Sequence, residues 1–84
     1  MYLKEIERMH SALSSDYRCF KEFLQKDKFT EEEKEKIIKF NQRVRKFKDE
    51  VYSYNGPMVE VEKESIAEFL MLVFKLDKRL KENQ

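Results

Sequence analysis

The only glycine and the only proline in this chain of 84 residues are adjacent, at Gly56 and Pro57. They fall between two long stretches in which apolar residues recur every three or four positions, the period of one helix face. A second, softer break lies near Thr30. Two breaks in otherwise unbroken helical periodicity divide the chain into three helices. The chain has no glycine-rich loop, no pair of cysteines and no cluster of histidines.

The first stripe reads Tyr2, Ile6, Met9, Leu13, Tyr17, Phe20, Leu24. Ser14 and Ser15 interrupt its composition but not its phase, and serine is only mildly unfavourable inside a helix, so one helix is expected through them. The segment from Gln25 to Phe29 breaks the pattern. Thr30 followed by Glu33 then reads as a capping box, and Glu31, Glu32 and Glu33 place negative charge at the positive end of the helix dipole.

The second stripe, Ile37, Phe40, Val44, Phe47, Val51, Tyr54, alternates strictly between spacings of three and four, as in a coiled-coil seam. Asn55 and Gly56 suit a left-handed cap, and Pro57 stops continuation. Val59 and Val61 alternate with Glu60 and Glu62 like a short strand. With no strand partner in the chain, they read as the start of a third helix. Its face is Ile66, Phe69, Leu70, Val73, Leu76, Leu80, and Lys75, Lys78, Arg79 and Lys81 suit its negative C-terminal end.

The expected fold is therefore all-α. It is a single domain over residues 1–84, an up-down-up antiparallel three-helix bundle with helices at about 2–26, 31–55 and 58–82. Each helix is roughly 24 residues or about 36 Å long. A bundle this small buries a modest core, so dimerisation into a larger helical bundle is a natural extension. Charged residues make up 42% of the chain, but aromatics at 13% argue against disorder. A net charge of +1 gives no global attraction to nucleic acid or anionic membrane. One cysteine and no secretory pattern point to a reducing, cytoplasmic setting. The longest apolar run, Phe69 to Phe74, is far short of the roughly 20 residues that span a bilayer.

That run supplies the leading candidate for function. Leu72 and Phe74 lie on opposite flanks of the core stripe, and Met71 points nearly away from it. Either the third helix is packed centrally against both others, or its outer flank meets another chain. Met71, Phe74 and Leu72, with Tyr52 and Ile38 off the seam of the second helix, form the expected protein-binding set. The partner is another protein or a second copy of this one.

The second candidate is a basic ridge of Lys36, Lys39, Arg43 and Lys46. Residues 34–48 carry seven positive charges against the single negative charge of Glu35. Such a ridge could follow phosphates, with Asn41 and Gln42 adding polar contacts. Alternatively it is a solvated face paired with neighbouring acids such as Glu60, Glu64 and Glu68.

Other features carry less. Glu7 and His10 have the spacing of a di-iron half-motif but lack the further core carboxylates, so no metal or cofactor is expected, and His10 is placed at the edge of the core. Cys19 has no base or pocket in view and reads as a spectator thiol. Asp77 falls on the apolar face of the third helix. A bundle end open to water is the expected setting, and a salt bridge that fixes register is the alternative. The carboxylates at the helix starts, Glu31 to Glu33, Glu60 and Glu62, read as exposed dipole caps. No nucleophile, phosphate loop or metal set points to an enzyme or to a small-molecule substrate.

Overall fold

The computed structural model describes residues 3–54 and 60–82. The expected cap at Asn55–Gly56, and the expected helix start at residue 58, lie outside those residues. Three α-helices account for most of the described chain: α1 (Leu3–Glu22), α2 (Glu31–Ser53) and α3 (Glu60–Glu82), with a 3-10 turn, Phe23–Gln25, closing α1. No strand occurs among the described residues. The molecule measures 42 × 19 × 18 Å, and α2 and α3, at 23 residues each, are about 35 Å long.

α1 passes through Ser14 and Ser15 without a break, as its stripe implies. It ends at Glu22, four residues before the expected limit, because its last turn tightens and Lys26 becomes extended. The carbonyls left open there are taken by α3: Arg79 donates to Leu24 O at 2.8 Å, to Asp27 O at 3.4 Å and to Lys26 O. Arg79 therefore fastens the first connection to the third helix, a larger role than complementing a helix dipole. Phe29, which the broken periodicity hides, is only 7% exposed and lies under Arg79, whose guanidinium is 5.2 Å from its ring centre.

α2 begins with the capping box that its sequence implies. The Glu33 N–H donates to Thr30 Oγ1 at 3.1 Å, and the Thr30 N–H donates to Glu33 Oε1 at 2.8 Å. The Lys26 ammonium also donates to Glu33. That bond, together with the Thr30 N–H, holds the Glu33 carboxyl below the ordinary glutamate value. A carboxyl whose folded pKa is depressed adds stability above its unfolded pKa and loses it as pH falls through the folded value. Wild-type melting temperature should thus fall as pH drops below about 4.5, and in Glu33→Gln this acid limb should be shallower. Circular dichroism melts at several pH values check this.

Aromatic rings run through a core that is otherwise aliphatic. At one end Phe20 stacks on Phe40 at 4.5 Å and meets Phe23 edge-on at 5.2 Å, and Phe23 reaches Phe29 at 6.1 Å. At the other, Phe69 lies 5.6 Å from Tyr17 and 6.1 Å from Phe47. His10 stacks on Phe47 at 6.0 Å and hydrogen-bonds through Nε2 to Ser65 Oγ at 2.7 Å, which places it at the core edge. These offset and tilted rings suit the quadrupoles of aromatic faces and edges.

Two polar residues depart from expectation. Asn41 is buried at 2%, so it is no part of a nucleic-acid surface, and Glu62 is buried at 7% rather than forming an exposed cap. Both follow from position: Asn41 lies three residues before the inward Val44 and Glu62 four before the inward Ile66, which turns each toward the core. Asp77 is held by both its neighbours on α2, accepting from Asn41 Nδ2 at 2.6 Å and Arg45 Nη2 at 2.8 Å. The salt-bridge alternative therefore replaces the open bundle end.

Candidate protein-interaction face

α3 carries two seams. The inward one is Glu62, Ile66, Phe69, Val73, Leu76, Leu80, all buried or partly buried. Two positions before each lies a second series with the same alternation of four and three: Glu60, Glu64, Ala67, Met71, Phe74, Lys78, all exposed. At about 100° per residue this second series is nearly opposite the first.

The flanks between them are assigned by contact. Ser65, Leu72 and Arg79 are seven residues apart and share one line of the helix. Ser65 bonds His10 of α1, and Arg79 bonds the carbonyls just after α1. Leu72, between them, is thereby covered and is only 3% exposed. Its expected place in a binding surface is corrected: it belongs to the core. Lys63, Leu70 and Asp77 share the opposite line, and Asp77 meets Asn41 and Arg45 of α2. The second seam, between these lines, faces away from both other helices.

Four of the five expected binding residues remain open to solvent: Met71 at 59%, Phe74 at 64%, Tyr52 at 61% and Ile38 at 46%. Ile38, Arg45 and Tyr52 are again seven apart on α2, and Arg45 reaches α3, so this line borders the α3 side of the bundle. Val61, also 61% exposed, adds apolar surface near the start of α3. It carries no periodic signal of its own because it stands one position from each seam.

The basic ridge is only partly free. Lys36 pairs with Glu32 at 3.4 Å, and Arg43 with Asp16 at 2.5 Å. Its acids come from α1 and from α2 itself, and not from Glu60, Glu64 or Glu68. Lys39 and Lys46 are exposed and make no ion pair among the described residues. An open groove of about 430 Å³ beside the ridge is lined by Met9, Ala12 and Leu13 with Arg8, Arg43 and Lys46.

No chemistry-bearing cluster gathers elsewhere in the described chain. Glu7 is exposed while His10 turns inward to Ser65, so the two do not converge. Among the described residues there is no group of three or more side chains suited to a metal ion, and Cys19 is an exposed free thiol. No described helix is long and apolar enough to cross a membrane. Comparison with protein-family models, with curated proteins and with solved structures finds no match to this chain.

Proposed function

We propose that this chain is a small, non-enzymatic interaction module that acts by binding a partner protein or a second copy of itself. The observation that carries this reading is the exposure of Met71 and Phe74 on a helix whose opposite face already completes the core. Large apolar side chains grouped on one outer face mark an interaction surface more often than scattered ones do. The order of contacts supports an up-down-up antiparallel bundle as its scaffold. Along α1 and the turn that closes it, residues 10, 16 and 20 meet 47, 43 and 40 of α2, while 10, 17 and 24 meet 65, 69 and 79 of α3.

Replacing Met71 and Phe74 together by Glu tests the reading. Helical circular dichroism and melting should stay close to wild type, within about 0.5–1 kcal/mol, because both side chains lie outside the core. Pull-down from cell extract and self-association should both be lost. Retained binding of the same partners would refute the reading. Nucleic-acid binding by Lys36, Lys39, Arg43 and Lys46 is the weaker alternative, because two of those four cations are already engaged by Glu32 and Asp16.

A further inference from the structure

We infer that the outer seam of α3 is a self-complementary, antiparallel docking surface for the α3 of a second copy of this chain. This rests on the interaction reading above and names its partner. The evidence is the distribution of charge along the exposed seam and its margin. Glu60, Glu64 and Glu68 occupy the N-terminal half of α3, and Lys75, Lys78 and Lys81 occupy the C-terminal half. All six are exposed, and none forms an ion pair among the described residues. Ala67, Met71 and Phe74 lie between the two halves.

Two such helices side by side in parallel would bring Glu64 to Glu64 and Lys78 to Lys78 along the seam. Turned antiparallel about a two-fold axis, they bring Glu64 and Glu68 of each copy opposite lysines of the other instead. Met71 of each copy then packs on Phe74 of the other, and Ala67 faces the stem of Lys78. Glu64 meets Lys81, and at the margin Glu68 meets Lys75, each pair occurring twice. The layers are those of an antiparallel coiled coil, in which one seam position faces the other kind across the axis. A two-fold interface must be self-complementary in this way, because the same patch serves both partners. One helix face with a few flanking residues gives an interface near the small end of the specific range, so dissociation constants of about 1–100 µM are expected.

Sedimentation equilibrium from about 1 µM to 1 mM protein tests this. The wild-type mass should rise from 10.4 kDa toward twice that value. Phe74→Glu should remain a folded monomer. Glu68→Lys and Lys75→Glu should each weaken self-association at least about tenfold, since each places like charges together twice. An equimolar mixture of these two variants should regain wild-type association, because every marginal pair is again Lys with Glu. A wild type that stays monomeric to about 1 mM overturns the inference, as does a mixture no better than its components or a Phe74→Glu dimer. A monomeric wild type that still binds a foreign protein through Phe74 overturns the dimer alone. Loss of both kinds of binding overturns the interaction reading with it.

Discussion

Truncation of Phe47 to Ala should destabilise the protein by about 3–5 kcal/mol, whereas truncation of Phe74 to Ala should change stability by no more than about 0.5 kcal/mol. The two residues are chemically identical, and both lie in long amphipathic helices. Phe47 is fully buried and lies against His10 of α1 and Phe69 of α3, so its ring is shared by all three helices. A cavity at that point cannot be filled by relaxing one neighbour without disturbing another. For 84 residues the whole folding free energy is about 4–13 kcal/mol, so this one ring carries a large part of it. The melting temperature should fall by roughly 15–30 °C. Thermal and urea melts of both variants, run at a concentration where wild type is monomeric, provide the check. A Phe47→Ala protein that melts within a few degrees of wild type would mean that the three-way aromatic contact is not formed in solution.

The contrast between these two phenylalanines explains how much of the structure was legible beforehand. Where the apolar period was long and unmixed, as from Ile37 to Val51, the helix and its buried face followed directly, and the Thr30–Glu33 box set the start of α2 to the residue. Period alone could not decide Leu72 against Phe74. Both stand beside the core stripe of α3, and which flank is covered depends on where α1 packs, a long-range fact set by Ser65, Arg79 and their partners. Phe29 was missed because it sits in a connection with no period, and a single aromatic between charged residues carries no direction. Asn41 and Glu62 were misread because polar residues were assumed to face water. The position of each within its helix turned it inward, and geometry outweighed polarity.

α3 carries two large apolar side chains, Met71 and Phe74, one turn apart on its outer face, which raises the question of what that face is for. Solubility alone would favour charge at positions 67, 71 and 74, as at the neighbouring Glu64 and Lys78. Keeping Met71 and Phe74 exposed leaves apolar area in water, a state that association relieves. The separation of acids from bases along the same face would give such an association a direction.

The second large effect is expected at the junction of Asn41, Arg45 and Asp77. Asn41 is 2% exposed; its Nδ2 donates to Asp77, and its Oδ1 is buried with no hydrogen-bond partner among the described residues. Asp77→Ala removes the acceptor and leaves the whole amide enclosed without a partner. A stranded buried polar group of this kind costs about 1–3 kcal/mol, more than the net worth of the hydrogen bond that was lost. Asn41→Leu removes the amide itself, so stability should stay near wild type or rise, while Asp77 keeps its pairing with Arg45. In the Asn41→Leu background the further change Asp77→Ala should then cost less than about 1 kcal/mol, because only a partly exposed ion pair is lost. The difference between the two Asp77→Ala effects is the coupling energy of the buried pair, measured by urea melts of the four proteins. If Asp77→Ala costs the same with and without Asn41, the amide and the carboxylate are not coupled. A measurable coupling would identify this pair as the polar contact that sets how α2 and α3 are aligned, since a uniform apolar seam could slide by a heptad and a buried amide that needs one acceptor cannot.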